Sequence, residues 1–133
     1  MRVFLDANVL FSASNAGSNI ARLIAWLSEQ EAAVTSDLAV EEARKNLALK
    51  RPAWLSAFES LLAGLEVVPS VLFELSVPIA TKDAPLLCAA IRSRCRLFVT
   101  GDKRDFGHLY GQRVQGVEII SLLRLAEILA DGG

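Results

Sequence analysis

The sequence predicts an α/β fold, a parallel sheet covered by helices on both faces, and three observations predict it. Short apolar runs recur along the chain, amphipathic segments of helical period lie between them, and the two kinds alternate. The 133 residues, 53% of them hydrophobic, suit one domain spanning 1–133 whose core needs neither disulfide nor structural metal.

Arg2–Leu5 is an apolar run closed by Asp6, which predicts a central strand that ends in a loop and delivers that acid. Ile20, Leu23, Ile24 and Leu27 keep the i, i+3, i+4, i+7 spacing, so a helix over 20–30 follows. Ala32–Thr35 is a brief second strand, and Ser36 or Asp37 caps a helix beginning near Leu38. Pro52 suits the first turn of another helix running to about Ala63, with Gly64 as its stop. Leu65–Val68 is a strand candidate. From Leu61 to Ala80 the apolar residues are interrupted by Gly64, Glu66, Pro69, Glu74 and Pro78, so the region reads as a helix end, a strand and a loop rather than one helix. Asp83, with Pro85 just inside, opens a helix through about Arg92, and Arg96–Thr100 returns as a strand. GDKRDFGHLYG reads as a loop, Val117–Ile120 as the last strand, and Ser121 as the cap of the amphipathic helix LLRLAEILA. No repeat or domain boundary is visible, and the Gly132-Gly133 ending predicts fraying.

Fourteen Lys and Arg against fifteen Asp and Glu give a net charge of −1, which excludes a strongly basic nucleic-acid coat and an acidic disordered tail. No stretch of ~18 uncharged apolar residues exists for a membrane span, and the run before Asp6 is too short for a signal peptide, so cytoplasm is the expectation. Cys88 and Cys95 match no zinc or redox spacing and read as free thiols.

In open α/β sheets ligands sit beyond the carboxyl ends of the strands, and here the residues at those ends are acids. Asp6 ends the first strand; Asp102 follows Leu97–Thr100 after a single glycine. Asp83 stands at a helix N-terminus, where its plain reading is an N-cap. Between Glu41 and Glu42, helical geometry favours Glu42: it falls with Ala39, Ala43, Asn46 and Leu49 on the expected inward stripe, whereas Glu41 projects beside Arg44, Lys45 and Ala48. An inward carboxylate needs a partner, so Glu42 joins Asp6, Asp83 and Asp102, with Asp105 nearby; its bland alternative is a glutamate whose tip still reaches water. Gathered carboxylates repel until some protonate or a cation neutralises them, and oxygen-only ligands favour Mg²⁺ or Mn²⁺ over Zn²⁺. Such a site suits metal-assisted hydrolysis of a phosphodiester.

Five pieces in order, FLDANVLFSA, TSDLAVEEARKNL, KDAPLLCAAI, LFVTGDKRDFG and the terminal strand and helix, resemble the PIN-domain family, particularly its bacterial VapC-like toxins of toxin–antitoxin pairs. The resemblance covers essentially the whole chain. It implies a three-layer α/β/α sandwich and a metal-dependent endoribonuclease. It assigns the family's acids to Asp6, Glu42, Asp83 and Asp102, with Asp105 where some members carry a further acid and Glu41 as Glu42's competitor. Asn8 falls in its usual place, and Thr100 matches a hydroxyl that orients the acids. The family label also implies an antitoxin partner, which nothing in the residues themselves displays.

Arg92, Arg94, Arg96, Lys103 and Arg104 are expected near the acids, holding substrate phosphates or simply solvated. Arg44, Lys45, Lys50 and Arg51 read as an exposed helix face, and His108 as a surface loop residue. Trp26, Trp54 and Phe58 read as packing or self-association residues, and the apolar composition predicts a homodimer or a groove for a partner peptide. Two rival readings are a haloacid-dehalogenase-like phosphatase and a non-catalytic RNA- or protein-binding module. The first needs a carboxylate two residues after Asp6, where Asn8 stands; the second is weakened by the retention of all four acids.

Overall fold

The computed structural model describes residues 1–132; Gly133, half of the ending expected to fray, lies outside them. Six strands form one sheet: β1 (Val3–Leu5), β2 (Ala33–Ser36), β3 (Glu66–Val68), β4 (Leu97–Val99), β5 (Arg113–Val114) and β6 (Val117–Ile120). Their spatial order is β3-β2-β1-β4-β6-β5, parallel throughout except for the antiparallel β5–β6 pair at one edge. The central strands are buried at every residue, and the Phe4 and Phe98 rings stack across them at 5.2 Å. That burial is why their sequences are uninterrupted apolar runs rather than alternating ones.

The helices are α1 (Ala7–Ala13), α2 (Asn19–Glu29), α3 (Asp37–Lys50), α4 (Leu55–Leu62), α5 (Ala84–Arg92), α6 (Lys103–Phe106) and α7 (Leu122–Gly132). The chain steps from β1 outward to β2 and β3, then crosses back over to β4 on the other side of β1. Right-handed crossovers running in opposite directions put their helices on opposite faces, so α1 to α4 cover one face and α5 the other. The same reversal leaves a crevice between the carboxyl ends of β1 and β4, where such sheets bind ligands. No helix among the described residues is long and apolar enough to cross a membrane.

Strand and helix positions agree with expectation to within a residue or two, with four differences. The chain after β1 is no loop: Asp6 caps α1 directly. The GDKRDFGHLYG segment folds into α6 and a 3₁₀ turn at Gly107–Leu109. The helix expected from Pro52 begins as a 3₁₀ turn, Pro52–Trp54, before α4. Finally, β5 makes the sheet mixed. Its hairpin turns through Gln115 (φ 48°) and Gly116 (φ 95°), two successive positive-φ residues of the kind a tight hairpin turn demands. Glutamine at the first of them is not a recognisable turn signal.

Both cysteines are free, as expected, and both are buried. Of the proposed packing aromatics, Phe58 is fully buried, whereas Trp26 is 39% exposed.

Candidate active site

Asp6 leaves the end of β1 and is 3% exposed. Its Oδ1 accepts from the Ala7 backbone N–H at 2.7 Å, and its Oδ2 accepts from the Thr100 hydroxyl at 2.8 Å and the Asn8 amide at 3.3 Å. The Thr100 oxygen in turn accepts from Asn8 Nδ2 at 3.3 Å and from the Asp102 backbone N–H at 3.0 Å. A hydroxyl has two lone pairs and one proton. With both acceptor positions taken, the Thr100 proton can go only to Asp6. Asn8 Oδ1 accepts from the Gly101 N–H at 2.8 Å, so Thr100 and Gly101 tie the turn after β4 to Asp6 and Asn8 through three hydrogen bonds, and Tyr110 braces the same turn by donating to the Thr100 carbonyl at 2.9 Å. Asn8 and Thr100 thus hold Asp6 in register with the turn that carries Asp102.

Asp83 behaves differently from a plain N-cap. Its backbone is already helical (φ −96°, ψ −21°), and its side chain caps nothing in α5. The residue is 6% exposed, and Oδ2 is buried with no hydrogen-bond partner. A buried, unpartnered carboxylate oxygen is costly, and in a native structure it calls for a cation or a proton. Carboxylate oxygens of Asp83, Asp102 and Asp105 lie within 4.8 Å of one another. Asp102 accepts from the Asp105 backbone N–H at 3.0 Å as the cap of α6, which fixes the two at neighbouring corners. Lys82 Nζ reaches Asp105 Oδ2 at 3.1 Å.

The electrostatics follow from this crowding. Burial pushes Asp6 up to about 6, against the Thr100 and Ala7 hydrogen bonds, with the charges of Glu42 and Asp102 adding to the rise. Burial also pushes Asp83 up to about 7, helped by Asp105 and Asp6. Asp105 moves the other way, below the ordinary carboxylate range, because Lys82 donates to it.

The close trio therefore contains Asp105 with Asp83 and Asp102, and neither Asp6 nor Glu42 belongs to it, although the charge of Asp6 is felt at Asp83. Glu42 is exposed rather than turned into the core. The buried stripe of α3 is Ala39, Val40, Ala43 and Leu47, whereas Leu49, expected inside, is 73% exposed. Counting Leu49 as a core residue rotates the expected face toward Glu42. The side chain instead stands at the rim of a hollow of about 480 Å³ that also includes Asn8, Asn46, Lys50, Lys82 and Asp102. Glu41, also exposed, does not line it.

A second expectation fails outright. Arg92 ends α5, Arg94 follows it and Arg96 precedes β4, so all three lie at the amino ends of the strands, opposite the acids. Only Lys103 and Arg104 of that group share the carboxyl side. His108 is exposed, as expected of a surface residue. Lys82 is legible in the sequence only as the lysine directly before Asp83, a position to which no spacing rule assigns a role.

No protein-family model matches the chain, and no curated protein matches it in sequence. Solved structures do. A chain from the VapBC2 complex of Rickettsia felis, bound to a promoter DNA fragment, aligns over 91% of this chain and 98% of its own with a TM-score of 0.65 and 14% identity. The DNA-bound VapBC complex of Salmonella typhimurium aligns over 91% and 98% at 0.62 and 17%. VapC20 of Mycobacterium tuberculosis, a sarcin-ricin loop cleaving toxin, aligns over 77% and 91% at 0.55 and 16%. At such identities the likeness speaks for architecture, and the architecture of this chain is the PIN-domain fold of VapC-type toxins.

Proposed function

We propose that the protein is a Mg²⁺- or Mn²⁺-dependent endoribonuclease and the toxin of a toxin–antitoxin pair. The observation that carries the proposal is the buried Asp83 carboxylate, which caps no helix, leaves one oxygen unpartnered and stands within 4.8 Å of Asp102 and Asp105 oxygens. Oxygen-only donors at the switch point of an α/β sheet fit a hard divalent cation. Such an ion polarises a phosphodiester oxygen and acidifies water. Asp6, Asp83, Asp102 and Asp105 would hold it, and Glu42 at the rim serves as a further ligand or orients the attacking water. Thr100 and Asn8 keep Asp6 aimed. The fold shared with a toxin that cleaves an RNA loop, and with chains from VapBC complexes, supports RNA as substrate and an antitoxin as partner. Exposed apolar side chains such as Leu72 and Leu123, each more than 70% exposed, supply area for that partner or a second copy.

The test is incubation of the purified protein with labelled single-stranded RNA and Mg²⁺ or Mn²⁺, with an EDTA control. Cutting that EDTA abolishes is the expected result. No cutting, and no rise in melting temperature with either metal, would instead favour the non-catalytic binding module.

The Thr100 geometry yields a separate expectation. Thr100→Val deletes the hydroxyl at nearly constant volume, and should weaken Mn²⁺ binding by roughly 10- to 100-fold, as loss of an orienting partner does at other metal sites. Thr100→Ser keeps the hydroxyl and should bind like the parent. Calorimetric titration of the three proteins measures this, and equal affinities would remove Thr100 from the site.

A further inference from the structure

Four cations line the outer half of α3, and the structure divides them into two kinds. Arg44 makes a two-pronged ion pair with Glu59, at 3.0 and 2.9 Å, and its guanidinium lies 5.4 Å from the centre of the Phe58 ring; Arg51 lies 5.5 Å from the centre of the Trp54 ring. These two are engaged in holding the end of α3 against α4 and the 3₁₀ turn that leads into it. Lys45 and Lys50 have no ion-pair partner among the described residues. Instead they line the two hollows that flank Glu42. Lys50 lines the one shared with Asn8 and Asp102, and Lys45 a smaller one of about 270 Å³ shared with Glu41 and Leu86. Glu42 and Lys82 border both.

We infer that the two hollows are one track for the substrate backbone, with Lys45 and Lys50 holding the phosphates on either side of the cleaved bond and Lys82 the phosphate at it. This rests on the nuclease reading above and deepens it. The lysines are five residues and about 7.5 Å apart along the helix axis, so a strand that contacts both must pass the residues lying between the hollows. Those residues are Glu42, at the rim of the acids, and Lys82, whose chain neighbour is Asp83. Lys82 pairs with Asp105 here, a carboxylate that would also serve a cation held by Asp83 and Asp102. Lys82, 67% exposed and on a flexible stem, could turn to a phosphate without any backbone change. It is thus a positioning group for the substrate and, without substrate, a counter-ion for the acids. The two hollows meet at Glu42 and Lys82, and the larger one opens onto Asp102, while the arginines of the same helix pair elsewhere.

The experiment measures binding of a short labelled oligoribonucleotide of mixed sequence to Asp6→Asn protein in Mg²⁺, over a range of salt concentrations. Each phosphate contact contributes about 0.7 to the slope of log affinity against log salt for a single strand. Adding Lys45→Gln, Lys50→Gln or Lys82→Gln should each lower that slope by about 0.7, whereas Arg44→Gln should leave it unchanged. In the otherwise native protein, Lys82→Gln should lower cleavage kcat/KM at least about tenfold, with Lys82→Arg restoring most of it. Slopes insensitive to the lysines, in a protein whose parent cuts RNA, would overturn the track alone. A parent that neither cuts nor binds RNA would overturn the track and the nuclease reading together.

Discussion

Asp6→Asn should abolish metal-dependent cleavage, by at least about 100-fold, while the metal-free protein melts several degrees higher at pH 8. The two effects have one cause. Asp6 is buried, and holding its charge there lifts it from an ordinary 3.8 to about 6, which corresponds to roughly 3 kcal/mol of destabilisation once the group is ionised. Asparagine removes that charge at nearly constant volume, and it also removes an acceptor. Ala7 N–H donates to one carboxylate oxygen, and Thr100 and Asn8 donate to the other. An amide offers one oxygen, so one of these sites loses its bond, at a cost of about 1 kcal/mol. Relief of charge outweighs the lost bond, leaving about 2 kcal/mol of net gain at pH 8. At pH 5 the folded Asp6 keeps its proton while an unfolded chain has released it, so roughly half of the penalty remains and the net gain should shrink to under about 1 kcal/mol; only below about pH 4, where both states are protonated, should it disappear. Thermal melts of both proteins at the two pH values, with a cleavage assay beside them, measure both effects. Full cutting by Asp6→Asn would remove Asp6 from the mechanism, and equal melting temperatures at pH 8 would show that its charge is not strained.

What the sequence displays, and what it hides, divides along physical lines. Buried central strands such as Val3–Leu5 and Leu97–Val99 announce themselves because both faces are covered and every residue must be apolar. The acids at the strand ends are legible for the same reason: a charged residue directly after such a run marks where the chain leaves the core. Caps are legible where the residue type carries the chemistry, as for Ser36 on α3 and Ser121 on α7, each accepting from a backbone N–H three residues on. The β5–β6 hairpin is hidden because its turn begins at a glutamine. The facing of Glu42 is hidden because Leu49, apolar yet exposed, shifts the apparent stripe of α3. The grouping of Asp105 with Asp83 depends on α6, a helix of four residues, too short for periodicity to reveal. Arg92, Arg94 and Arg96 are close to the acids in sequence and remote in space, because α5 carries the chain from one end of the sheet to the other.

The metal-free protein should lose stability as pH rises from about 4 to about 7, and divalent metal should reverse that loss. Asp6 and Asp83 both titrate higher in the folded chain, at about 6 and about 7, than in an unfolded one. Below about pH 4 both states hold their protons and nothing is lost. Between there and neutrality the unfolded chain releases protons that the folded chain keeps, so folding binds protons and weakens with each step upward in pH. Above about pH 7 both states are ionised and the loss is complete. Carboxylates that titrate low, such as Asp37 with its Ser70 hydrogen bonds and Glu66 with Arg2, act in the opposite sense but at lower pH, where folding loses their contribution as they protonate. The window above pH 4 therefore belongs to the buried acids. Mn²⁺ binds the ionised form, so at pH 8 an excess of 100 times its dissociation constant should restore about 2.7 kcal/mol, and at pH 5 much less, because protons must leave first. Melting temperatures across this range, with Mn²⁺ and with EDTA, test both parts. Stability flat or rising from pH 4.5 to 7 would show that the buried carboxylates carry no strain. Stability that falls without rescue by metal would show strained acids that hold no ion, and the binding module would then explain them better than the nuclease.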